Sequence, residues 1–271
     1  MDVVDEIAAL IDQVHQVTFG GGLPGWEVGK NTDPGLLLVQ EWWGITDIVK
    51  MQAVRFSQQG FRVFVADLYT HTKLSKEKGT TTAADREQAG HCMNTLDFRL
   101  ATAELALAAA YLTQSGAPSV GVIGGCMGGA LAFAVAEKVP SVTAAVALYG
   151  TLEPLAGHLR DRDGSSYFQV ERIRIPFQYH TGMLDNISGF SDPGTGVEVV
   201  GRMRAAGCEA EVHLYDDTPH SFLNALVPGG TGFLKKWDYG VPPQQQVESL
   251  HLKDVWPSST STSASDGQGT S

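Results

Sequence analysis

One cysteine in this chain stands at the tip of a turn built almost entirely from glycine. Cys126 lies between Gly124 and Gly128 in the pattern G-x-C-x-G, after an apolar run at 120–123 and before an alanine-rich stretch. A strand that turns sharply into a helix has no room for side chains on either side of the tip, and the same spacing with serine forms a nucleophile elbow. The helix N-terminus favours a thiolate there. The pattern predicts a nucleophilic Cys126, with a plain glycine-rich turn around a buried cysteine as the alternative.

A cysteine nucleophile needs a base, and the base needs an acid that orients it. On an elbow of this kind the partners follow in the order acid, then histidine, in loops after later strands. Asp185 and His220 occupy those two positions. Among the eight histidines, His180 is the main rival of His220, but it precedes the acid and ends a predicted strand. We therefore predict Cys126, Asp185 and His220 as a catalytic triad.

The elements that would position these residues alternate between strands and helices. Short continuous apolar runs are typical of strands buried in a parallel sheet, and stretches with helical spacing separate them. The predicted strands are 35–40, 61–69, 120–123, 142–149, 176–180 and 210–215. Besides the helix after the elbow, the predicted helices are 47–59, 83–95, 99–113, 196–206 and 242–256, with loops at 70–79 and 150–172. This alternation predicts an α/β protein with one mainly parallel sheet and helices on both faces.

The pattern divides the chain into one domain and two flanking segments. Residues 1–34 are expected to be an N-terminal extension with room for one short helix or strand, around residues 6–14. Residues 35–256 form the predicted α/β domain. Residues 257–271 are rich in Ser, Thr, Gly and Asp, and we expect this tail to be disordered because it cannot bury a core.

Composition narrows the class of partner. The 271-residue chain has a net charge of −11, which opposes nucleic acids and anionic membranes because both need a cationic surface. No apolar run is long enough to span a bilayer, and the acidic N-terminus does not read as a signal peptide. Three cysteines give no disulfide framework and suit a reducing compartment. The expected location is the cytoplasm, and the expected assembly is a monomer or small homo-oligomer.

Seven segments, in the same order throughout, make the region 35–225 similar to the dienelactone hydrolase (carboxymethylenebutenolidase) family. They are QEWWG at 40–44, DLY at 67–69, REQA at 86–89, GGCMGGALAF at 124–133, YG at 149–150, HTGMLD at 180–185 and YDDTPHSF at 215–222. The resemblance implies a single-domain α/β-hydrolase fold. It also implies hydrolysis of a lactone or carboxylic ester through a Cys-His-Asp triad and a thioester.

The resemblance adds residues that spacing alone does not select. Glu41 matches the family glutamate that contacts the resting thiol and helps to form the thiolate when substrate binds. The backbone N–H groups of Met127 and Trp42 match the family's oxyanion hole, a kind of site that stabilises a transition state by about 3 kcal/mol. A carboxylate wedged between an apolar strand and two tryptophans should have a raised pKa.

Substrate recognition is where the chain departs from the family pattern. Arg86 matches one of two family arginines that bind a substrate carboxylate, but Asn224 stands where the second is expected. A lone guanidinium captures a carboxylate less well. Trp42 and Trp43 are expected to make the pocket mouth bulky and apolar. A larger or less charged ester or lactone is therefore the expected small-molecule substrate.

Two other interpretations remain at this stage. One is a catalytically silent α/β-hydrolase that binds a ligand or senses oxidants through Cys126, because a fold does not fix a function. The other is a metal site using His71, His91 and Cys92, which is weak because their spacing fits no common ligand pattern. We expect no metal and no cofactor, since the triad, the oxyanion donors and water suffice.

Overall fold

In the computed structural model, which describes residues 3–156 and 159–248, one eight-stranded sheet carries the fold. The strands are β1 (His15–Phe19), β2 (Leu23–Val28), β3 (Gly35–Val39), β4 (Arg62–Ala66), β5 (Val120–Gly125), β6 (Val142–Leu148), β7 (Phe177–Gly182) and β8 (Ala210–Tyr215). Their order is β1-β2-β4-β3-β5-β6-β7-β8, and all pairs from β4 to β8 are parallel. The α/β class with a mainly parallel sheet is confirmed.

Helices connect the strands and cover the sheet. They are α1 (Val3–Ile11), α2 (Asp47–Ser57), α3 (Lys73–Lys78), α4 (Arg86–Thr95), α5 (Phe98–Gln114), α6 (Met127–Lys138), α7 (Glu153–Ala156), α8 (Pro193–Ala205), α9 (Gly230–Lys236) and α10 (Gln244–Glu248). Side-chain caps fix several starts: Thr46, Asp97 and Asp192 accept hydrogen bonds from the first turns of α2, α5 and α8. Every residue of β3, β4, β5 and β7 is buried, as expected for strands covered on both faces.

Two parts of the sequence expected to be irregular contain helices. The segment 70–79 holds α3, which Thr72 caps at its start and Gly79, at φ +65°, ends in the left-handed region. Within 150–172 lie the short α7 and a turn of 3₁₀-helix at Val170–Arg172. Their polar sequences lack apolar periodicity, so caps and tertiary contacts determine these helices.

The N-terminal residues belong to the sheet. β1 and β2 form an antiparallel hairpin, and β2 pairs with the outer edge of β4. The Phe19 ring meets the Phe64 ring edge-on at 5.0 Å, and α1 packs beside α2. Two strands and a helix therefore precede the first strand expected from the sequence.

The C-terminal part folds back over the sheet's carboxyl edge. A 3₁₀-helix at Phe222–Leu226 and then α9 follow β8, and neither was expected from the sequence. The helix predicted for 242–256 is described only as α10, and the predicted disordered tail 257–271 lies outside the described residues. Within the described residues, no helix combines the length and apolarity that crossing a bilayer requires.

The turn from β5 into α6 is closely packed against neighbouring backbone. Cys126 has φ +56° and ψ −122°, a conformation that non-glycine residues rarely adopt. A Cβ atom at Gly124 would lie 2.3 Å from the carbonyl oxygen of Gly128. One at Gly150, after β6, would lie 2.0 Å from the carbonyl oxygen of Cys126 itself. Backbone contacts on both sides of the tip therefore require glycine.

Replacing Phe19 with alanine tests whether the hairpin belongs to the cooperative core. Phe19 is 4% exposed, so the cavity left behind should lower the free energy of unfolding by about 3–5 kcal/mol. Leu100→Ala is the control: Leu100 is 45% exposed on α5, and a change within about 0.5 kcal/mol is expected. Equilibrium unfolding in urea measures both, and equal midpoints would contradict a structural role for β1.

The substitution Gly124→Ala tests the crowding at the elbow. The added methyl group meets backbone rather than a movable side chain, so we expect a loss of about 1–3 kcal/mol in stability and a displaced thiol. Gly201→Ala, in α8 with open space around it, should instead stabilise by about 1 kcal/mol. Thermal unfolding measures the change in stability of each variant, and the rate of alkylation of Cys126 by iodoacetamide measures the displacement of the thiol. An alanine tolerated equally at both positions would refute the argument.

Candidate active site

Three loops at the carboxyl edge of the sheet bring the predicted triad together. Cys126 follows β5, Asp185 follows β7 and His220 follows β8. His220 Nδ1 lies 2.7 Å from Asp185 Oδ2, and the Cys126 sulfur is close enough to the imidazole to raise its pKa. All three side chains are buried, at 4–6% exposure. The order of thiol, imidazole and carboxylate is the order predicted for a nucleophile, its base and an orienting acid.

The charges around His220 favour its protonated form. Burial alone would lower the pKa of His220, but the Cys126 sulfur and the Asp185 carboxylate outweigh it and raise that pKa to about 10. An imidazole with this pKa holds a proton at neutral pH.

Ser191 completes the support of the acid. Its hydroxyl donates to Asp185 Oδ1 at 2.8 Å and lies 3.2 Å from His220 Nδ1. The backbone N–H of Ile187 donates to the same Asp185 oxygen at 3.3 Å. Sequence reasoning missed Ser191, because nothing in the local pattern distinguishes it from an ordinary loop serine.

Glu41 lies beneath the site in a hydrogen-bonded network. The Tyr149 hydroxyl donates to Glu41 Oε1 at 2.9 Å, and the Asn224 amide donates to Oε1 and Oε2 at 3.2 and 3.4 Å. Burial raises the pKa of Glu41, against the opposing charge of His220. Asn224, which stands where the family pattern has its second arginine, also donates to the Ser221 carbonyl and accepts from Gln52. Its amide is therefore engaged with the protein.

The two backbone N–H groups expected to bind an oxyanion belong to residues in the turns after β5 and β3. Met127 is the first residue of α6, so its N–H has no acceptor within the helix. Trp42 lies in the turn after β3, which the hydrogen bond from Gly44 N to Glu41 O closes. The Tyr69 hydroxyl donates to the Trp42 carbonyl at 2.8 Å and fixes that turn relative to β4.

A cavity of about 300 Å³ opens onto the thiol. Its lining is mostly apolar or aromatic and consists of Trp42, Arg86, Met93, Cys126, Ile187, Phe190, His220 and Tyr239. Trp42 and Arg86 were expected here from the sequence. Met93, Ile187, Phe190 and Tyr239 were not, because they come from three separate segments.

Trp43 lies behind the cavity wall, which differs from its expected place at the mouth. It is 3% exposed, and its ring packs against Trp237 and Phe233, with ring centroids 4.5 and 5.7 Å away. It also meets the Trp42 ring edge-on at 5.3 Å. Adjacent residues in a turn point in different directions, so Trp42 lines the cavity and Trp43 supports it from the core.

His180, the rival histidine, is held within the sheet. Its Nδ1 lies 2.7 Å from the Tyr215 hydroxyl and its Nε2 lies 3.1 Å from Gln178 Oε1. Burial, with a smaller effect of His213, lowers the pKa of His180 to about 3. The ring is therefore neutral and structural. Of the proposed metal ligands, His71 pairs with Glu104 at 3.0 Å, and the described residues include no group of three or more His, Cys, Asp or Glu arranged to hold a metal ion.

Comparisons with known proteins identify the family of this chain. A model of the dienelactone hydrolase family matches residues 25–235. A carboxymethylenebutenolidase from Pseudomonas putida is 26% identical over 74% of this chain and 79% of its own. A carboxymethylenebutenolidase from Cupriavidus pinatubonensis is also 26% identical, over 66% of this chain and 82% of its own. A crystal structure of a putative dienelactone hydrolase from Klebsiella pneumoniae has a TM-score of 0.67 at 20% identity, covering 87% of this chain and 93% of that one. The chain belongs to the dienelactone hydrolase family, and it is a hydrolase that acts on esters or lactones.

Proposed function

We propose that the protein hydrolyses a carboxylic ester or lactone through a thioester on Cys126. The observation that carries the proposal is the hydrogen bond between Asp185 and His220 beside the Cys126 sulfur, at the floor of an apolar cavity. A positioned imidazole with a raised pKa is what a cysteine nucleophile needs.

The reaction needs only groups at this site and water. His220 accepts the thiol proton, and the sulfur attacks the carbonyl carbon. The oxyanion forms against the N–H groups of Met127 and Trp42, the C–O bond breaks, and His220 returns the proton to the leaving alkoxide. His220 then takes a proton from water, the hydroxide attacks the thioester, and the acid leaves as the thiolate reforms. With a lactone, the alkoxide stays tethered to the acyl group.

We assign Glu41 a supporting role in this reaction. Its carboxylate is buried with the triad and is held by Tyr149 and Asn224. Because its raised pKa brings it closer to protonation, Glu41 adjusts the charge near His220 as the thiolate forms. Asp185, hydrogen-bonded directly to the imidazole, is the acid that orients the base.

The substitution Cys126→Ala tests the nucleophile. We expect kcat/KM for p-nitrophenyl butyrate to fall by at least about 10³-fold, because removing one member of such a triad removes the covalent route. Cys208→Ala is the matched control: it removes another buried thiol, which hydrogen-bonds the Ile175 carbonyl, and should leave the rate unchanged.

Mass spectrometry of the reacting enzyme should detect an acyl group on Cys126, and His220→Ala should abolish turnover. Full activity in Cys126→Ala would refute the thioester route. Reversible oxidation of Cys126 without any turnover would instead support the thiol-sensing alternative.

The pKa of His220 provides a second test. Because the folded-state pKa is raised to about 10, the imidazolium should persist through neutral pH and lose its proton only near pH 10. Asp185→Asn removes a negative charge that stabilises the imidazolium, so it should lower the pKa of His220. Nitrogen NMR of isotope-labelled histidine measures both titrations. His180 is the internal reference because it stays neutral over this range. An unchanged His220 titration in Asp185→Asn would contradict the assigned role of Asp185.

A further inference from the structure

We infer, on the basis of the proposed function, that the substrate of this site is an uncharged, apolar ester or lactone. Arg86, in this inference, closes the cavity wall and does not bind a substrate carboxylate. Arg86 and Tyr239 together are then the residues that determine this specificity. The inference rests on what the two positions expected to bind a carboxylate do in the structure.

The guanidinium of Arg86 contacts the segment that follows α9. Its Nη2 donates a hydrogen bond to the Trp237 carbonyl, and its plane lies over the Tyr239 ring with 5.4 Å between the guanidinium carbon and the ring centroid. Both contacts are with one stretch of three residues. Arg86 thereby fixes α4 to the C-terminal segment, and the Tyr239 ring forms a wall 5.8 Å from the His220 ring.

Position 224, where the second arginine of the family pattern is expected, carries an asparagine. Asn224 is neutral, 3% exposed, and uses its amide on Glu41, Ser221 and Gln52. A carboxylate entering the cavity would therefore lose its hydration without gaining a bidentate partner at this position.

The remaining surroundings also disfavour an anion. The acids buried at the site are Glu41 and Asp185, while the cavity wall presents Trp42, Phe190 and Tyr239. Transferring a carboxylate from water to a surface of aromatic rings costs free energy, whereas the same transfer is favourable for an apolar group. The volume of about 300 Å³ is at the small end of ligand cavities and suits a compact substrate.

Two substrates of equal chain length and the same leaving group test the inference. We compare p-nitrophenyl hexanoate with mono-p-nitrophenyl adipate, which carries a carboxylate in place of the terminal methyl group. The expected kcat/KM is at least about 10-fold higher for the hexanoate, at a fixed ionic strength. An adipate turned over as fast as the hexanoate, or faster, would overturn the inference.

Variants of Arg86 separate the two roles of its side chain. If Arg86 positions the Tyr239 ring in the cavity wall, Arg86→Met should lower kcat/KM for both substrates by a similar factor, because both substrates then lose contact with that ring. If Arg86 binds a substrate carboxylate, only the adipate should suffer, and the inference fails. Arg86 is exposed on the first turn of α4, so folding should survive, and the thermal midpoint is measured beside each rate.

Tyr239 supplies the matched pair of variants. Tyr239→Phe keeps the ring and should retain most of the activity toward the hexanoate, whereas Tyr239→Ala should raise its KM several-fold. Equal effects of the two variants would show that the ring surface is not used. If the wild-type protein hydrolyses neither ester, the proposed hydrolysis itself is contradicted. If Cys126→Ala still hydrolyses the hexanoate, only the thioester route is contradicted.

Discussion

The position of one sulfur atom depends on how closely three backbone segments approach each other. The turn at Cys126 holds a positive φ angle because the chain on either side of it touches neighbouring carbonyl oxygens. These contacts come from α6 and from the residue after β6, so the elbow cannot relax without moving the central strands. The rest of the site is placed relative to this fixed point, by loops that end at the same edge of the sheet.

The buried polar groups of the site are connected, and this gives it rigidity. Asp185, whose side chain is fully buried, receives hydrogen bonds from a serine hydroxyl, a backbone N–H and the imidazole. Glu41 receives them from a tyrosine and an amide. Buried carboxylates without partners would cost several kcal/mol, whereas partnered ones specify a single geometry. The two acids thus occupy separate networks on either side of one histidine.

The sequence predicts those parts of the protein that depend on local patterns. Apolar runs and the G-x-C-x-G spacing identify the central strands and place Cys126, Asp185 and His220 after three of them. Contacts between distant segments leave no such pattern: Ser191 on Asp185, Asn224 on Glu41 and Tyr239 over Arg86 are set by the tertiary fold. The hairpin β1–β2 was missed because both strands are short and lie partly exposed at the edge, and because β2 contains Pro and Gly. Trp43 was misplaced because a turn's side-chain directions depend on backbone angles.

The order of the functional residues along the chain bears on how the protein is made. The cysteine lies near the middle of the chain, whereas the histidine and the tyrosine over the site come only after the last strand of the sheet. During synthesis the strands up to β8 are translated before His220. A nascent chain therefore carries the Cys126 thiol before it contains His220, and the proposed thiol–imidazole pair forms only when the C-terminal segment folds over the sheet.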